Sequence, residues 1–148
     1  ILQTGHAVLN LTDDVRVFAA AIAKKSGVDV PLVAVSQGVR LQHCLTHHGL
    51  QLESVEDDSV RPRVWMQVQD SQSHAPFMGF NRAQAAVVEL AVLVSRLQRL
   101  PIEKITSEMA YLQIAIDKTA GAHELEAWQW LVDCVNNHIA QQSGMQQA

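Results

Sequence analysis

The 148 residues are 48% hydrophobic, enough for one sizeable core and too few for two independent ones. A charged fraction of 18% and a formal charge of −4 leave no broad basic surface, which argues against nucleic acid and anionic membrane as partners. The longest apolar stretch, Ala85 to Val94, is broken by Glu89 and falls short of the ~20 residues of a bilayer span, so no membrane anchor is expected.

The chain begins at Ile1 and runs through Gln3-Thr4-Gly5 into a strand-like segment with no polar leader, so residues upstream are expected to be missing. From His6 to Leu11 residues alternate, with Ala7, Leu9 and Leu11 on one face and Val8 and Asn10 on the other, the period of a strand with at least one buried face. Thr12 reads as the N-cap of a helix, followed by Asp13 and Asp14 where negative charge suits the helix dipole. Val15, Phe18, Ala19 and Ile22 form its apolar stripe, and Lys24, Lys25 and Gly27 close it.

Between Pro31 and Gln69 every signal is strand: Val33 to Val35, Val39 to Leu45, Leu50 to Val55 and Arg63 to Gln69. The last two alternate, with Leu50, Leu52, Val64, Met66 and Val68 opposite Gln51, Glu53, Arg63, Gln67 and Gln69, and Asp57-Asp58-Ser59 supplies a hairpin turn. An antiparallel meander with one buried face is expected.

After Ser71-Gln72-Ser73 the period becomes helical. Asn81 can cap a helix from Ala83 to Leu97 that is apolar on nearly every side and should be the buried centre of its half of the molecule. Pro101 starts a second helix, where its missing N–H costs nothing, striped by Ile102, Ile105, Met109, Leu112 and Ile116. Leu125, Trp128, Val132, Val135 and Ile139 stripe a third, joined to the second through Thr119-Ala120-Gly121, and the polar tail from Gln141 to Ala148 is expected to fray. Strands first and helices after is the α+β arrangement, read as a single domain, 1–148, with a strand portion at 1–75 and a helical portion at 76–148.

His43, Cys44, His47 and His48 form the densest cluster of metal-capable side chains. On a strand, His43 and His47 share one face and Cys44 and His48 the other, so no metal is expected and the histidines read as ordinary sheet-surface residues. Two distant cysteines, Cys44 and Cys134, fit reduced thiols and a cytoplasmic location. Trp65, on the polar face of its strand, suits packing or an oligomer contact more than ligand stacking. No glycine-rich dinucleotide loop, phosphate loop or nucleophile elbow occurs, which leaves the junction Gly79-Phe80-Asn81-Arg82. There the glycine permits close backbone approach, Asn81 caps, and Arg82 in the first turn opposes the dipole unless its charge is used. An anion site at that helix start and a plain cap with Arg82 paired to a carboxylate both fit. Lys118-Thr119 at the next helix end is a second polar corner, where lysine suits the dipole anyway.

The runs Gly79-Phe80-Asn81-Arg82-Ala83-Gln84-Ala85-Ala86-Val87-Val88-Glu89 and Asp117-Lys118-Thr119-Ala120-Gly121, with His123-Glu124 after them, resemble the signatures of the family called domain of unknown function 447. Leu9-Asn10-Leu11-Thr12-Asp13-Asp14-Val15 and the turn Glu56-Asp57-Asp58-Ser59 resemble it too. The family is similar to the flavin-reductase-like split barrels. The resemblance therefore implies an antiparallel split β-barrel, incomplete at the N-terminus, followed by a C-terminal subdomain of three helices, with FMN bound by a homodimer. It makes Asn10, Thr12, Asn81, Arg82, Lys118 and Thr119 candidate cofactor-binding residues and names no catalytic one. The phosphate loop of such barrels would precede Ile1, and the family's Gly-Gly after Lys-Thr reads Ala120-Gly121 here. The implied role is FMN binding, with flavin-dependent oxidoreductase activity as its catalytic form. The competing role is a non-catalytic dimeric module that has kept the scaffold and lost the flavin.

Overall fold

The computed structural model describes residues 1–58 and 60–145; Ser59 of the expected turn and residues 146–148 of the expected tail lie outside the described residues. The chain divides into two compact units, Ile1–Asp13 with Asp29–Met78, and Asp14–Val28 with Gly79–Ala148.

Among its described residues the first unit holds five antiparallel strands: β1 (His6–Leu11), β2 (Leu32–Val35), β3 (Gly38–Leu41), β4 (Thr46–Glu56) and β5 (Arg63–Ser73). They form two open sheets, one of order β1-β4-β5 and one made of the hairpin β2–β3, rather than a single meander or a closed barrel. The run from Val39 to Leu45 does not stay extended: β3 ends at Leu41, where Arg40 Nη1 donates to the carbonyls of Leu41 and Gln42 and stabilises a turn. That turn ends the hairpin and frees β4 to pair with β1, His6 opposite Gln51 and Leu11 opposite Thr46.

The face expected to be buried is the open one. Leu9 and Leu11 are 48% and 46% exposed and Val68 is 56% exposed, while Val8 and Asn10 on the opposite face are half-buried. The reason is the hairpin: a methyl carbon added to Gly38 would lie 3.8 Å from Val8 Cγ2, at van der Waals distance, and Leu41 N–H donates to Asn10 Oδ1 at 2.9 Å. The hairpin lies over the polar face, and no described element of this unit covers the apolar one.

Among the described residues the second unit contains four helices, α1 (Arg16–Ala23), α2 (Arg82–Val94), α3 (Ile102–Thr119) and α4 (Ala122–Met145). The helical part thus has one helix more than the three expected, because α1 groups with α2–α4. Thr12 does not cap α1. The helix starts three residues later, and Asp14 does the work: its Oδ1 accepts from Arg16 N–H at 3.1 Å while its carboxylate pairs with the Arg16 guanidinium at 2.6 Å. That hydrogen bond holds the Asp14 carboxyl below its usual range against the opposing effect of burial.

The core of this unit is Val15 and Ala19 of the α1 segment, Ala83, Ala86, Val87, Leu90 and Leu93 of α2, Ile105 and Ile116 of α3, and Ala127, Trp128, Leu131 and Val135 of α4. Each fully buried branched side chain stabilises the fold by roughly 1.5–3 kcal/mol. Helix α2 is the centre, as its composition required, yet Val88 and Val92 keep one stripe in solvent. In α1 the buried side is turned so that Phe18 and Ile22 are exposed, and in α4 Leu125 is exposed. Helix α4 stays helical through Met145, past the point where fraying was expected.

Candidate functional site

The junction before α2 is a lock among three helices. Asn81 is extended, and its Oδ1 accepts from Ala83 N–H at 2.8 Å, the N-cap the residue type predicts. The same N–H also donates to Thr119 Oγ1 at 3.1 Å, and that hydroxyl donates to the Ala115 carbonyl one turn back in α3. Asn81 Nδ2 completes the ring by donating to the Thr119 carbonyl at 3.4 Å.

Helix α4 is fastened into the same corner. Glu124, three residues after Gly121, reaches back to accept from Gly121 N–H at 2.9 Å, half of a capping box. Its other oxygen accepts from Gln84 Nε2 of α2 at 3.2 Å, so one buried carboxylate ties α4 to α2. Ala120 has an extended backbone, φ −72°, that any residue adopts, so alanine costs no strain here.

At Gly79 a methyl group would meet open space among the described residues, and the φ of +106° is a backbone conformation that favours glycine. Arg82 and Lys118 flank the two residues that meet in the lock. Both are exposed, and neither forms an ion pair among the described residues, so the pairing of Arg82 with a carboxylate, one of its two open readings, is not found there.

In the strand unit, Asn10 spends its amide on structure: Oδ1 accepts from Leu41 and Nδ2 donates to the Val8 carbonyl at 3.3 Å, joining β1 to β3. Thr12 is half-buried in the stretch after β1.

The feature that sequence reasoning placed wrongly is His47. Far from a surface residue, it is 2% exposed. Its Nδ1 lies 2.9 Å from Nε2 of His74, the two rings stack 5.1 Å apart at 9°, and its Nε2 lies 3.7 Å from Asp70 Oδ2. Cys44 is also buried, with Arg40 Nη1 4.0 Å from its sulfur. His48, by contrast, points to the opposite side and bonds Ser71 at 2.5 Å. Among the described residues no three histidine, cysteine or acidic side chains converge to hold a metal. Gly49, next to these histidines, was the available signal: a methyl there would collide with Asp70 Oδ1 and Gln37 Oε1, which marks a crowded polar interior rather than a solvated face.

Comparison with known proteins adds two findings. Residues 81–133, which include Asn81, Arg82, Lys118 and Thr119, match a family model for a C-terminal domain described as Protein of unknown function (DUF447). The fold is similar to that of an FMN-bound protein from Methanosarcina mazei assigned to the same family, with a TM-score of 0.72 and 14% identity over 90% of this chain and 73% of that one. No curated protein matches the chain. No helix among the described residues is long and apolar enough to cross a membrane.

Proposed function

Taking residues 81–133 as the C-terminal domain of the family of unknown function 447, we propose that this protein binds FMN and acts as a homodimer. The observation that carries the reading is the fold shared over nine-tenths of the chain with a protein that holds FMN. FMN joins an apolar ring system to a doubly charged phosphate, so its site needs unspent cations and apolar surface. Arg82 and Lys118 fit the first requirement, being exposed and outside any ion pair among the described residues. Asn81 and Thr119 hold the corner that carries them, and their own polar atoms are already engaged. Asn10 and Thr12 are the candidates on the strand unit, with the amide of Asn10 committed to β3.

Bound flavin supplies reversible electron transfer, which makes an oxidoreductase role the catalytic extension of binding. The chain's own contribution is to hold and orient that group. Titration of FMN with the protein, followed by flavin fluorescence, tests the reading. Binding should quench or shift the emission, and Arg82→Ala and Lys118→Ala should each weaken it about tenfold or more, the loss of a charge-assisted contact to phosphate. An emission unchanged at any protein concentration overturns it.

One observation favours the alternative of a non-catalytic dimeric module. The Ala83 N–H at the start of α2, the natural donor to a phosphate, is taken by both Asn81 and Thr119. An intact dimer that leaves FMN emission unchanged would establish that reading.

A further inference from the structure

Two imidazoles in direct contact, one of them sealed from solvent, constrain how many protons their corner can hold. We propose that His47 and His74 form a latch that fastens the exit of β5 to the start of β4, and that acid opens it. The inference does not depend on flavin binding.

His47 lies on β4 facing the covered side of the sheet, and His74 is the residue that follows the last of β5. With 2.9 Å between His47 Nδ1 and His74 Nε2, the facing nitrogens share a single proton, one donating and the other accepting. Asp70 of β5 sets the direction. Its carboxylate, 3.7 Å from His47 Nε2, favours a proton on that nitrogen, which leaves Nδ1 as the acceptor and His74 Nε2–H as the donor. Arg40 of β3 supplies the remaining nearby charge, while Cys44 lies in the turn that Arg40 braces.

The proton count then follows. A proton added on His74 Nδ1 leaves the Nε2–H donor in place but sets a positive charge beside Arg40, which disfavours the closed arrangement. A second has only His47 Nδ1 to occupy, and two N–H groups cannot face each other at 2.9 Å. Desolvation, the Arg40 charge and then His47 all push the exposed His74 imidazole below its ordinary value. In the window between the ordinary value and the lowered one the unfolded chain binds more protons than the folded one. Stability present at neutral pH is therefore lost as pH falls through that window.

What the latch holds is specific. His74 N–H and Ala75 N–H both donate to the Leu45 carbonyl, at 2.7 and 3.3 Å, and Leu45 N–H donates to Leu11. Parting the imidazoles releases the two amides that lead the chain out of β5.

Amide hydrogen exchange on the intact protein, at about pH 7.5 and about pH 5 and corrected for intrinsic rates, tests this. The His74 and Ala75 amides should lose protection about tenfold or more in acid, while Leu50 and Val68 in the β4–β5 ladder keep theirs. His74→Gln, whose amide can donate to His47 Nδ1 without titrating, should keep protection at both pH values. The His74 imidazole resonances should titrate below the ordinary histidine value. Equal protection of His74 and Ala75 at both pH values, the same acid loss in His74→Gln, or a His74 imidazole that titrates at the ordinary value would overturn the proposal.

Discussion

Asn81 shows how one side chain can be legible in part. Its cap on Ala83 is a local event, two residues long, and the residue type before an apolar run announces it. Its bond to Thr119 spans 38 positions and has no local signal. Asn81→Ala should therefore cost more than an isolated cap, about 1–2 kcal/mol of stability in urea unfolding, because the Thr119 contact goes with it. A loss near zero would mean that Thr119 alone satisfies the helix start. The neighbouring Gly79 was legible as a glycine-requiring position but not in its cause, since backbone sign and close approach leave the same mark on a sequence. His47 was misread because strand alternation assigns faces and says nothing of which face the rest of the chain will cover.

The same gap governs the elements. All five strands and four helices carry periodicity that finds them, and β4 and β5 pair as their alternation and turn require. Which side of the sheet is protected was decided by the β2–β3 hairpin, a contact between segments about 30 residues apart, so β1 turned out reversed with Leu9 and Leu11 outward. Gly49 sits where that hairpin's Gln37 and the β5 residue Asp70 press on β4. Gly49→Ala should destabilise the protein by about 1–3 kcal/mol, as overpacking of a filled site does, read as a lower urea midpoint. Unchanged stability would show that Gln37 and Asp70 swing aside without cost. The start of α1 was missed for a related reason: Thr12, Asp13 and Asp14 are all capping types in a row, and only the Arg16 pairing selects Asp14.

At the scale of the molecule, the open sheet face is the largest departure from a self-contained monomer. Leu9, Leu11 and Val68 lie on it, with Leu50, Leu52 and Met66 half-buried beside them, and Trp65 is 55% exposed on the other side of β5. Thr46 and His48 lie beside Leu11 and Leu9 on this face, and its apolar part, formed by Leu50, Leu52, Met66 and Val68 with Leu9 at its margin, is what a second copy would bury. Light scattering should give a mass of twice the 16.3 kDa chain, and the double substitution Leu9→Asp with Val68→Asp should return it to the monomer value. A monomeric wild-type protein would refute dimerisation and leave the flavin reading to its own titration.

The helix α1 carries a last consequence. Because Asp14–Val28 lies with Gly79–Ala148, the chain passes from one unit to the other three times, after Asp13, after Val28 and after Met78. No single cut frees either unit whole. A fragment starting at Gly79 would contain the entire matched family segment and still lack Val15 and Ala19 from its interior, two vacancies against α2 and α4. Shortening the gene to its recognisable part would remove a piece of the very core that makes that part fold.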